Sequence, residues 1–135
     1  MKRLFGVAIL AGALLTGLSC GGDSGTGSGP GVLLVKLTSP AANADSAIEF
    51  TITGPAAPTA ATAGTGLRLF PDPGASGTTR HYALTGRMTN GATILTINVA
   101  DVGAFSQYHG SVDGVSQDNY QLRIPLSGYA LALTR

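Results

Sequence analysis

The sequence predicts an all-β fold, a single antiparallel β-sandwich, on three observations. Apolar and polar residues alternate with period two over several short stretches. Turn residues separate these stretches at intervals of roughly 8–12 residues. Beyond Leu18, no helical periodicity persists for ten residues. The sandwich is expected to fill residues 32–135, a length suited to one domain.

The elements follow in order. VLLVKL, Val32–Leu37, reads as a nearly continuous apolar strand. AIEFTIT, Ala47–Thr53, puts Ile48, Phe50 and Ile52 on one face and Glu49, Thr51 and Thr53 on the other. TGPAAPTAATAGTG, Thr53–Gly66, reads as a long polar loop. LRLF from Leu67 and RHYALTGRM from Arg80 are strands broken by turn residues. TNGA, around Asn90–Gly91, reads as the hairpin turn joining the Arg80 strand to ILTINVAD, Ile94–Asp101, in which Leu95, Ile97 and Val99 point inward. A single helical turn capped by Asp101 is expected near Asp101–Phe105. SQYHGSVDGV, Ser106–Val115, puts Tyr108 and Val112 on one face, and YALALT, Tyr129–Thr134, closes the chain. Glu49, Arg68, Arg80, Arg87 and Arg123 are expected to face water and to blunt sheet edges.

The first residues are organised differently. Lys2 and Arg3 precede LFGVAILAGALLTGL, Leu4–Leu18, which carries no charge. A basic start, a short apolar run and then small residues form the pattern of a secretory signal peptide, here residues 1–19. As a helix the apolar run would cover roughly 22 Å, against roughly 30 Å of bilayer hydrocarbon, so it reads as a signal and not a span. Residues 20–31 form a cysteine followed by a glycine-rich linker, in which six of the eleven residues Gly21–Gly31 are glycine. Such a run buries too little apolar surface to offset its ordering entropy, and as a coil it spans about 18 Å. It lacks the preceding strand and the G-K-[ST] of a phosphate loop.

GLSC, Gly17–Cys20, resembles the lipobox of bacterial lipoproteins. Ser19 suits the position before the cut, while Gly17 stands where that family prefers a large aliphatic residue. The resemblance implies cleavage before Cys20 and a diacylglycerol on its thiol, with acyl lipid the only attached group. It also implies membrane association through that anchor. Gly21, in place of an aspartate after the cysteine, points to the outer membrane of the cell envelope over the inner one. Gly17 and Ser19 also permit ordinary cleavage before Cys20. As the only cysteine, Cys20 has no partner within this chain for a disulfide. Two or three acyl chains, at about 0.8 kcal/mol per buried CH₂, would hold a protein at a bilayer where one would not.

The order of strand, acidic turn, AIEFTITGP, long loop, ILTINVADV and final YALAL resembles bacterial β-sandwich lipoproteins of uncharacterised function. More distantly it is similar to cohesin-like and immunoglobulin-like sandwiches. The resemblance implies a secreted binding or structural module, and fold alone assigns no activity.

Little in the sequence points to catalysis, and no catalytic, cofactor-binding or metal-ligating residue is assigned. His81 and His109 each adjoin a tyrosine in a strand, and Asp113 falls on the same face as His109. A metal site would need a third ligand there. Asp113–Asn119 and Asp72 place oxygen ligands in loops without the spacing of a calcium loop. Nor does a G-x-S-x-G elbow accompany the many serines. Removing residues 1–19 leaves six basic residues against seven acidic, a formal charge of −1 without a basic stripe, so nucleic acid is not an expected partner. The expected function is non-enzymatic: an anchored domain for adhesion, envelope structure or protein partnering. A carbohydrate- or small-ligand-binding module is the alternative, disfavoured by the absence of tryptophan, and a small hydrolase is the second.

Overall fold

The computed structural model describes residues 27–41, 44–70 and 76–135. Each strand forms where period-two alternation lets one face leave water. Strand β1 is Gly31–Thr38, β2 Asp45–Thr53, β3 Ala60–Ala63, β4 Arg68–Phe70, β5 Thr79–Thr85 and β6 Thr93–Val99. A 3₁₀ helix at Val102–Gln107 leads into β7, His109–Gln117, and β8 is Ala130–Thr134. One sheet runs β3-β6-β1-β8 and the other β4-β5-β2-β7, with every pairing antiparallel. The fold is the predicted all-β sandwich.

Between the sheets, Leu33, Val35 and Leu37 of β1 meet Ile48, Phe50 and Ile52 of β2, Tyr82 and Leu84 of β5, and Leu95, Ile97 and Val99 of β6. All are nearly or wholly buried, and each such aliphatic side chain contributes about 1.5–3 kcal/mol by leaving water. The Phe50 and Tyr82 rings pack tilted at 5.5 Å. Where β7 and β8 close one side of the sandwich, Gly110 faces Leu131. A Cβ there would come within 2.8 Å of the Leu131 Cβ, so only glycine permits this approach.

Two expectations need correction. Asn90–Gly91 does form a turn, with Gly91 at φ 80, but it does not close a hairpin. β5 and β6 belong to different sheets, and the turn carries the chain across the core. The Gly91 amide donates to the Leu37 carbonyl at 2.7 Å and the Asn90 Oδ1 accepts from the Ser39 amide at 2.9 Å, so the turn is fastened to the end of β1 instead. The second correction concerns Thr53–Gly66. It contains strand β3, an edge strand paired from Ala60↔Asn98 to Ala63↔Leu95. Its residues, AATA, give no apolar–polar contrast to read from the sequence, yet burial alternates along it, with Ala61 and Ala63 packed against the core.

Three β-bulges interrupt the alternation. The register passes from Asp45↔Gln117 to Ala47↔Ser116, leaving Ser46 as an extra residue in β2. It passes from Phe50↔Val112 to Glu49↔Gly114, leaving Asp113 extra in β7. In β6, Ile94 is extra between the partners of Val35 and Lys36, and Ile94 and Leu95 are consecutively buried. Each extra residue reverses which side chains face inward beyond it.

The antiparallel register gives the sandwich two distinct ends. The start of β1 lies with the ends of β2, β6 and β8 and the starts of β5 and β7. The end of β1 lies with the starts of β2, β6 and β8 and the ends of β5 and β7. The nine-residue strands β2 and β7 separate these ends by about 30 Å.

Candidate functional site

The chain enters the fold at the first end. Asp101, in extended conformation before the 3₁₀ helix, caps it as expected: its Oδ1 accepts from the Gly103 amide at 2.8 Å. The same oxygen accepts from the Gly29 amide at 2.8 Å, and the Val102 amide donates to the Gly29 carbonyl at 2.9 Å. Gly29, grouped with the linker by composition, is thus held against the sandwich two residues before β1. These backbone donors, first that of Gly29, hold the Asp101 carboxyl below its usual range. At the same end the Arg135 guanidinium lies 4.2 Å from the Phe105 ring centre.

At the opposite end the connections between strands converge on Asp45. The alternation that buries Ile48, Phe50 and Ile52 would turn Asp45 outward, but the bulge at Ser46 turns it in, and its exposure is 0%. Its Oδ1 accepts from Arg123 Nε at 2.9 Å. Its Oδ2 accepts from Tyr129 OH at 2.7 Å and Ser39 Oγ at 2.9 Å. Its carbonyl accepts from the Met88 amide at 3.0 Å. One residue therefore ties together the β1–β2, β5–β6 and β7–β8 connections. The hydrogen bond to Asp45 raises Arg123 above its ordinary range; burial first, then the same carboxylate, raises the Tyr129 phenol. Arg123, expected to face water, is instead a structural cation. Arg80, expected likewise, donates from Nη1 to the Pro58 carbonyl at 2.9 Å.

Arg123 sits between two side chains that do the opposite. Leu122 is 67% exposed and Ile124 86%, and Tyr120, just upstream, is 92% exposed. The segment is nonetheless ordered by its backbone: the Arg123 amide donates to the Val115 carbonyl at 2.8 Å and the Gln117 amide to the Gln121 carbonyl at 2.9 Å. Tyr120 holds φ 64, a left-handed conformation that disfavours a bulky residue by roughly 1–2 kcal/mol. An aromatic residue in that conformation, with its ring in water, gains nothing from the domain's own packing.

The third cluster lies on the outer face of β5, β2 and β7. Thr51 Oγ1 donates to Asp113 Oδ2 at 2.6 Å and lies 2.7 Å from His81 Nδ1. Because the hydroxyl proton goes to Asp113, His81 Nδ1 is the donor of that second bond. Asp113 shares this exposed face with His109, as expected, but its hydrogen-bond partner is Thr51, which sequence reasoning missed. His109 lies across from Thr53, one cross-strand pair further along the face. Among the described residues, no group of three or more His, Cys, Asp and Glu side chains is placed to hold a metal ion. The expected oxygen-rich loop at Asp113–Asn119 is largely strand, since β7 continues to Gln117, and Asn119 Oδ1 accepts from the Gln121 amide at 3.2 Å.

Residues 1–19, expected to be a signal peptide, and with them Cys20 and Asp72, lie outside the described residues. No protein-family model, curated protein or solved structure matches the chain.

Proposed function

We propose that this is a lipid-anchored protein of the cell envelope, attached through Cys20, that displays its sandwich to a protein partner without catalysis of its own. The observation that carries the reading is polarity. The chain enters at the end held by Asp101, and the exposed Tyr120, Leu122 and Ile124 belong to the connection at the opposite end, held by Asp45. A tether leading from Cys20 into Gly29 would therefore leave those side chains on the half of the sandwich away from the membrane, where Leu122 pairs back along β7 with Ser116. Exposed apolar side chains grouped along one ordered segment, unlike singly scattered ones, mark a protein-docking surface. The basic start, apolar run and GLSC sequence support the anchor.

Metabolic labelling with a fatty-acid analogue tests the reading. The wild-type protein should incorporate the label and fractionate with membranes, and Cys20→Ala should do neither while still being exported. An unlabelled wild type would refute the anchor.

A further inference from the structure

Beside the Tyr120–Leu126 segment the surface of β7 is open. Gly114 has no side chain there, and a Cβ added to it would meet only Glu49 Oε2, at 3.9 Å. The opening extends to both sides of Leu122. Toward Ile124, Pro125 and Leu126 it forms a shallow groove of about 340 Å³, and toward Ala47 and Glu49 a smaller recess of about 130 Å³. Its walls are apolar, but Asp113 lines the groove and Glu49 the recess. Arg123 also lines the groove, and its charge is committed to Asp45. Among the described residues, neither Glu49 nor Asp113 has an ion-pair partner.

We infer that this groove takes an extended polypeptide segment that places an aliphatic side chain beside Leu122 and Ile124 and a lysine or arginine between Glu49 and Asp113. The inference rests on reading the loop as a docking surface. Charge complementarity selects the occupant: an apolar trough rimmed by two carboxylates repels an acidic segment and attracts a basic one. Openness favours a chain laid across the site over an enclosed small molecule, which requires deeper burial. Asp113 already accepts the Thr51 hydroxyl, and a carboxylate retains acceptor capacity for a cation.

The test uses the full chain in non-ionic detergent and two fluorescent peptides, one alternating lysine and valine, the other glutamate and valine. The lysine peptide should bind about tenfold or more tighter, with affinity falling as salt rises because the rim pairs are screened. Glu49→Gln and Asp113→Asn should each weaken it severalfold, Ile124→Ser should weaken it at all salt concentrations, and Asp101→Asn at the other end should not change it. Equal binding of the two peptides, or an unchanged affinity in the Glu49→Gln/Asp113→Asn double variant, would overturn the inference. Either result leaves the fatty-acid label on Cys20 untouched, so the occupant and the anchor stand or fall separately.

Discussion

The two ends of the sandwich are each organised by one aspartate, and the two aspartates work differently. Asp101 remains at the surface and accepts two backbone amides, from Gly29 and Gly103. It orders only what is next to it in space: the entering chain and the first turn of a short helix. Asp45 is wholly buried and accepts from three side chains that come from two separate connections. A surface carboxylate near backbone donors can be lost at modest cost, because water replaces it. A buried carboxylate cannot be removed without stranding the cation and hydroxyls built around it. The end that presents Leu122 and Ile124 is therefore the end with the more expensive foundation.

Asp45→Ala should produce the largest effect. It leaves Arg123 facing a void and the Tyr129 hydroxyl without its acceptor, while Ser39 keeps only the longer bond to the Ala41 carbonyl, a loss of about 3–5 kcal/mol. Thermal unfolding should fall by roughly 15 °C or more. A shift of only a few degrees would mean that the two ends are equivalent. Tyr129→Phe removes one donor and should cost about 1–3 kcal/mol, measurable as a lower denaturant midpoint at constant m.

Asp101→Asn should give the smallest change, visible through pH. Asparagine still caps, but it lacks the charge that Gly29 and Gly103 stabilise. Because the folded carboxyl titrates below its ordinary value of 3.8, its contribution is complete above that value and disappears as pH falls through the lower folded value. The difference in stability between wild type and Asp101→Asn should be constant from neutral pH to about pH 5 and should close in stronger acid. A difference that instead grew on acidification would reverse the assigned sign.

The same contrast shows what can be read from the sequence. The inward residues of β2 and β6 follow from alternation, and the Asp101 cap follows from an aspartate before a short turn, because both signals are local. Asp45 is not legible in this way. Counting back from Ile48 turns it outward, and only the extra residue at Ser46, visible in the pairing with β7, turns it in. The bulge at Asp113 likewise puts the buried Val115 out of phase with Val112, and the extra Ile94 hides a second consecutive core residue. Bulges depend on the partner strand, so no single strand announces them. Asn90–Gly91 has the composition of a hairpin turn but carries the chain from one sheet to the other, since turn chemistry sets a local bend and not which strands pair. Arg123 reads as a surface charge because its partner lies 78 residues away.

If Asp45, through Arg123, holds the Tyr120–Leu126 segment as a rigid platform, that segment moves no more than the core strands. Backbone ¹⁵N relaxation at residues 121–126, in wild type and in Arg123→Ala, tests it most directly. In wild type the amides of Leu122, Arg123 and Leu126 should have order parameters near those of the core strands, about 0.85. In Arg123→Ala they should fall below about 0.6, while β1, β2 and β6 keep their values. A segment already below about 0.6 in wild type, or unchanged by the substitution, would mean that the Arg123–Asp45 pair does not hold it.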